Sequence, residues 1–163
     1  MIKFEHACYT DSGVVDVDIT APLYFWEDLS VYDYSITDIP YTLADHINDR
    51  DFKLDDFSHE RLRLVSEDLL DDIVWRLNCW RELYLKCAVC LERNEWKDPS
   101  EAKVVRASQR DALCQIIQLL PASYNQKRIV RFDCRTLAVM CEDHNYCSVS
   151  DEWDALCEWA KQW

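Results

Sequence analysis

Three groups of residues have types and spacings that could do chemistry. Cys87-Ala-Val-Cys90 is a Cys-x-x-Cys pair, and Cys141, His144 and Cys147 follow at three-residue steps. Such thiols and an imidazole are the donors that a tetrahedral zinc site uses. Yet Cys87 sits on an apolar helical stripe, where a small buried thiol is ordinary packing. No glycine knuckle surrounds either cluster, and no βαβ frame supports a redox Cys-x-x-Cys. The expectation is no metal, with these five as weak candidates. The second group is basic: Lys127, Arg128 and Arg131, with Arg135 close behind. Forked guanidiniums hold phosphate well; the competing reading is internal pairing with acids of the same chain. The third group fills "TAPLYFWEDLSVYDYSITD", Thr20 to Asp38. It holds Tyr24, Phe25, Trp26, Tyr32 and Tyr34, and the carboxylates Glu27, Asp28, Asp33 and Asp38, without a single Lys or Arg. Carboxylates steer a cationic partner and aromatics supply contact area, while Phe25 and Trp26 are expected in the core. His6, His46, His59 and His144 are each isolated, and the pairs Asp55-Asp56 and Asp71-Asp72 point different ways on a helix rather than forming a dyad.

The bulk composition narrows the chemistry further. Gly13 is the single glycine among 163 residues, which excludes glycine-rich phosphate loops and dinucleotide fingerprints. Net charge is −13, and residues 1–60 carry 14 Asp and Glu against Lys3, Arg50 and Lys53. An acidic surface repels nucleic acid and anionic lipid and suits a basic protein instead, or simply keeps the chain soluble. Nine cysteines, an odd and scattered number, together with the opening MIKFEHACY, lead to the expectation of free thiols in a host cytoplasm with no signal peptide. No apolar run approaches the ~20 residues of a membrane helix.

Positioning these groups requires elements that the pattern outlines. Ile2–Tyr9 and Val14–Thr20 read as two strands about Gly13, the second alternating Val15, Val17 and Ile19 with Asp16 and Asp18. Pro40–Asn48 reads as a short helix. A long helix is expected from near Ser58, with Leu62, Val65, Leu69, Ile73, Leu77, Trp80, Tyr84, Cys87 and Leu91 in one apolar stripe. Asp98-Pro99-Ser100-Glu101 is a helix start, and that helix ends before Pro121. A short strand at Ile129–Phe132, a helix over Leu137–Glu142 and a last helix capped by Ser150 follow. In that last helix Trp153, Leu156, Cys157 and Ala160 share one side. The class is α+β, mostly helical, with a small sheet packed on long helices. A single domain, 1–163, is expected, with an acidic strand and loop part (1–60) and a helical part (61–163).

Several stretches resemble a family of phage and prophage proteins: VDITAPLYFW (17–26), KLDDFS (53–58), LNCWRELYL (77–85), QLLPASYNQKR (118–128) and DEWDALCEW (151–159). That family is in turn similar to the flavin-dependent thymidylate synthases, the ThyX group, through LLPASYNQKRIVRFDCRTL. The resemblance spans roughly residues 14–160. It implies a degenerate ThyX-like scaffold, tetramers that bind flavin adenine dinucleotide, and methylation of dUMP. The family's Arg-His-Arg signature would fall near Val31, Tyr32 and Asp33, and none of the three matches. Carboxylates there would repel a phosphate.

Two classes of function follow. The first is a non-catalytic acidic binding protein whose partner is a basic protein. It would be an inhibitor of a nucleic-acid-handling host defence enzyme, of the anti-CRISPR or DNA-mimic type, with Glu27, Asp28, Asp33, Asp38, Tyr24, Tyr32 and Tyr34 as the binding face. An immunity protein against a basic toxin reads the same way. The second is a diverged flavin- or nucleotide-dependent enzyme holding phosphate with Lys127, Arg128 and Arg131 and binding FAD. The binding reading expects no cofactor, no direct nucleic-acid contact and no membrane; a homo-oligomer is compatible with both.

Overall fold

The computed structural model describes residues 2–10, 12–93, 96, 98–147 and 151–163, the side chains of 145–147 excepted. The chain is α+β and mostly helical. It divides into two compact units, residues 1–42 with 122–163, and residues 43–121.

The first unit is built on a four-stranded antiparallel sheet, order β1-β2-β4-β3. β1 (Lys3–Thr10) and β2 (Val14–Pro22) form a hairpin. Its turn is closed by Gly13 N–H donating to Thr10 O at 3.0 Å, with Gly13 at φ 78°, a left-handed conformation natural to glycine. β4 (Asn125–Asp133) pairs along the whole of β2, so the strand expected at 129–132 is more than twice that long. β3 (Ser35–Asp38), which the sequence pattern does not signal, forms the far edge. The period-2 reading of β2 holds: Val15, Val17, Ile19 and Ala21 are wholly buried, and Asp16 and Asp18 face the other way.

Helices α1 (Leu23–Leu29), α5 (Cys134–Cys147) and α6 (Asp151–Ala160) also belong to this unit. Its core joins the buried β2 residues and Val130 and Phe132 of β4 to Phe25, Trp26 and Leu29 of α1. Leu137 and Met140 of α5 and Trp153, Leu156 and Trp159 of α6 complete it. α6 therefore turns Trp159 inward, whereas Cys157 and Ala160, expected on its buried side, are half-buried. Ser150, the expected cap of α6, lies outside the described residues.

The second unit holds α2 (Leu43–Asp49), a 3-10 turn at Leu54–Asp56, α3 (Leu64–Arg93) and α4 (Pro99–Leu119). α4 starts as its sequence dictates: Asp98 accepts a hydrogen bond from Ser100 N–H at 2.9 Å, with Pro99 at the first helical position. α3 begins at Leu64 rather than near Ser58, because Asp56 is engaged by Arg50 and by the Lys53 amide at 2.8 Å in the 3-10 turn. Its expected stripe is also corrected. Leu70, Leu77 and Cys87 are buried, but Leu62, Val65 and Leu69 are exposed. α3 has 30 residues and its partner α4 has 21, joined at the C-terminal end of α3. The start of α3 thus outruns the helix that would cover it. Asn78 ties α3 to the preceding loop, accepting from Phe52 N–H at 2.8 Å and donating to Phe52 O at 2.9 Å. Among the described residues no helix is long and apolar enough to cross a membrane.

Candidate functional site

β2 passes straight into α1 through Pro22, which sits at φ −66° in extended backbone. Proline has no N–H to lose at a helix start. The next two amides are satisfied from outside the helix: Leu23 N–H donates to Tyr124 O and Tyr24 N–H to Ala122 O, both at 3.0 Å. These bonds fix the rotation of the seven-residue α1. Phe25, Trp26 and Leu29 then point into the core while Glu27 and Asp28 point to solvent. Trp26 is anchored by its indole N–H, shared between Ala21 O at 3.1 Å and Gln126 O at 3.2 Å. Ser30 closes the helix with its hydroxyl donating to Glu27 O at 2.6 Å.

The aromatic half of the segment is mostly spoken for by packing. Phe25 meets Trp26 and Trp153 with ring centroids 5.7 and 5.5 Å apart. Tyr32 sets its edge against Trp153 at 5.7 Å, and Tyr34 stacks on Phe132 at 5.7 Å. Tyr24, Tyr32 and Tyr34 are half-buried against the core rather than displayed on the surface. The acidic half is different. Glu27, Asp28, Asp33 and Asp38 are all exposed, and none forms an ion pair among the described residues. Asp38 accepts from Ile39 N–H at 2.8 Å, and it stands at the irregularity of the edge strand, where Thr37 reaches across to Ile129 O at 3.1 Å. Carboxylates on such an edge also oppose pairing with a further strand.

The structure separates Lys127, Arg128 and Arg131 by strand alternation. Lys127 and Arg131 lie on the outward sheet face, which they share with Glu5, Asp16 and Asp18. Lys127 pairs with Glu5 at 2.9 Å and Asp18 at 3.0 Å. Arg131 grips Asp16 with two bonds, 2.7 and 2.8 Å, and this bidentate pair holds the Asp16 carboxyl below its usual range. Arg128 lies on the opposite face. Its guanidinium is 4.7 Å from the Trp26 ring, and its Nε donates to Gln126 Oε1 at 2.8 Å. Burial pushes the Tyr34 hydroxyl's pKa up, and the Arg128 charge opposes that shift. Three cations adjacent in sequence are thus committed to partners on two faces, which is the internal-pairing reading of that cluster.

Of the thiol candidates, Cys87 is buried and Cys90 exposed on α3 in the second unit, while Cys141 and His144 sit on α5 in the first. The Cys147 side chain lies outside the described residues. No group of three or more metal-binding side chains occurs among the described residues. A groove of about 540 Å³ does run between α5 and α6, lined by Cys134, Cys141, His144, Asp154, Cys157 and Lys161. His144 Nε2 stands 3.1 Å from Asp154 Oδ1 and the ring stacks on Trp153 at 5.3 Å. Burial pushes the Cys157 thiol up to about 12, with neighbouring Cys141 adding to the shift. A thiol so raised is a poor nucleophile and a poor ligand, since the thiolate does that chemistry. The pairing of Cys141 with Cys157 is invisible in the sequence, where nothing links residues 16 apart on different helices. No protein-family model matches the chain, and no curated protein or solved structure matches it either.

Proposed function

We propose that the chain is a non-catalytic binding protein whose acidic segment, Glu27 to Asp38, captures a basic protein. The partner class that fits is an enzyme or effector with a cationic groove for nucleic acid, which the carboxylates would occupy in place of phosphates. One observation carries the reading: Lys127, Arg128 and Arg131 of β4 are consumed by internal partners, and Glu27, Asp28, Asp33 and Asp38 are left exposed without an ion pair among the described residues. The unbalanced field that results speeds encounter with a cationic surface and repels polyanions. The first unit carries 15 Asp and Glu against 6 Lys and Arg, so the field has little to cancel it. A ThyX-like ancestry belongs to the same proposal. Arg128, on the core side of the sheet, is stacked on Trp26 rather than held open for a phosphate, which supports lost catalysis.

The test is capture of a basic nucleic-acid-binding protein from host lysate by the wild-type chain and by the variant Asp28→Lys, Asp33→Lys, Asp38→Lys. These side chains are exposed, so the variant keeps its fold. Capture falls by tenfold or more at low salt, with a smaller loss at 0.5 M salt. Equal capture by both proteins overturns the reading.

A further inference from the structure

We infer that the exposed face of α3 binds a second copy of this chain, with the two helices antiparallel and Cys79 at the two-fold axis. This rests on the second unit alone and is independent of the acidic-segment reading.

α3 buries Leu70 and Leu77 on one side. At 100° per residue the opposite side is centred on Cys79, which is exposed. That side ought to be polar on a helix that ends its packing there. Instead it displays Val65, Leu69 and Trp75, which are 83%, 60% and 63% exposed, together with Leu83 and Val89. The helix spans eight turns, about 45 Å, so the apolar groups form a long strip interrupted by charges. Beside its middle lies a groove of about 790 Å³ lined by Trp75, Cys79, Glu82, Lys86 and Val89.

The charges select the occupant. The first half of α3 is mainly acidic on this face, with Asp68, Asp71 and Asp72 against Arg76, whereas Lys86 and Arg93 stand against Glu82 in the second half. A parallel copy would set acid on acid. An antiparallel copy reverses the order and sets acid on base. A two-fold contact must also be self-complementary, each residue meeting the one equally far on the other side of the axis. About Cys79 that condition is met twice near the seam. Trp75 and Leu83 stand four residues either side, about 40° from the Cys79 direction, so apolar meets apolar. Asp72 and Lys86 stand seven either side, about 20° from that direction, so acid meets base. All four are exposed.

The geometry makes a sharp demand on Cys79. Helix axes 8–10 Å apart, with Cα atoms on a radius of about 2.3 Å, bring facing Cα atoms on the axis to roughly 3.4–5.4 Å, the wider end of which spans a disulfide.

The full chain is therefore examined by sedimentation and by oxidation with copper–phenanthroline. At tens of micromolar the protein sediments at twice the 19.4 kDa chain mass. Oxidation, which takes two electrons and two protons from a thiol pair, links two chains through Cys79. The linkage persists when Cys8, Cys90 and Cys114 are changed to Ser and is lost in Cys79→Ser. Asp72→Lys weakens the dimer at least tenfold with its helical circular dichroism unchanged, and adding Lys86→Asp restores it. A monomer at these concentrations overturns the inference. So does a dimer in which Cys79→Ser leaves cross-linking unchanged, or one in which the charge swap fails to restore association.

Discussion

The two units dispose of the same kinds of side chain in opposite ways. In the unit around the sheet, Phe25, Trp26, Phe132, Trp153 and Trp159 are inside and most of the carboxylates are outside. In the unit 43–121, α3 puts Val65, Leu69 and Trp75 on its surface. The charge follows the same division. The sheet unit has 15 acids against 6 bases, and the bases of β4 are drawn into internal contacts; unit 43–121 has 16 against 12. One unit thus presents an electrostatic surface and the other an amphipathic one, and the two proposals assign each a different means of association. Field-driven contact gives rate and salt sensitivity, while apolar contact gives residence time.

Two tryptophans test that division most strongly. Trp26 is 2% exposed, donates its N–H to two carbonyls and carries Arg128 on its face. Trp26→Ala removes all of this and leaves a cavity, so unfolding in urea should show a loss of about 3–5 kcal/mol. Trp75→Ala, in dilute protein where chains are monomeric, should change stability by no more than about 0.5 kcal/mol. Comparable losses for the two would erase the contrast between the units.

A second test concerns His46, the buried histidine of α2. It is 1% exposed and stacks on Phe52 at 4.3 Å. Burial lowers its pKa, and the nearby Arg50 and Arg81 act the same way, although Asp56 Oδ2 at 3.6 Å pulls in the other direction. The unfolded chain takes up a proton near the ordinary 6.5, and the folded chain takes it up at lower pH. Stability is therefore level above about pH 6.5 and falls as pH drops toward the folded value. The slope from one proton is at most about 1.4 kcal/mol per pH unit. Burial disfavours the Asp56 charge, but its bonds to Arg50 and Lys53 outweigh that and hold its carboxyl below 3.8, so it adds no loss in this window. Denaturant midpoints from pH 8 to 5 should show the fall in the wild-type chain and a flatter limb in His46→Gln. A wild-type profile that is level down to pH 5 would refute the buried neutral imidazole.

How much of this was legible in the sequence divides along physical lines. The alternation of Val15, Val17 and Ile19 and the Asp98-Pro99 helix start are local signals, and both elements form as read. β3 and α1 were not legible. Ser35–Asp38 is four exposed residues with no apolar period, held by pairing with β4 nearly a hundred residues away. α1 is seven residues fixed by carbonyls from 122–124. The stripe on α3 misled because periodicity shows which residues share a face but not where the covering helix stops. At the candidate site, the exposure of Glu27, Asp28, Asp33 and Asp38 follows from their chemistry. The withdrawal of Tyr32 and Tyr34 into contacts with Trp153 and Phe132 depends on α6 and β4, which no local pattern could supply.

The smallest expected effect comes from the outward face of the sheet, where the internal ion pairs leave the acidic segment uncompensated. Asp16 and Arg131 sit directly opposite one another on β2 and β4, joined by two bonds. Arg131 is exposed and Asp16 half-buried at the sheet surface, so the pair contributes little to folding, and salt screens what it contributes. Asp16→Asn should lower the melting temperature only slightly at low salt and leave it unchanged in 1 M salt. Its larger consequence is electrostatic. Arg131 would lose its partner and become an open cation on β4, directly across from Ser35 of the edge strand that ends at Asp38. Capture of a basic partner should then weaken measurably although no residue of the acidic segment has changed. If capture is the same in Asp16→Asn as in the wild type, the internal pairing of the sheet cations has no part in shaping the surface the partner meets.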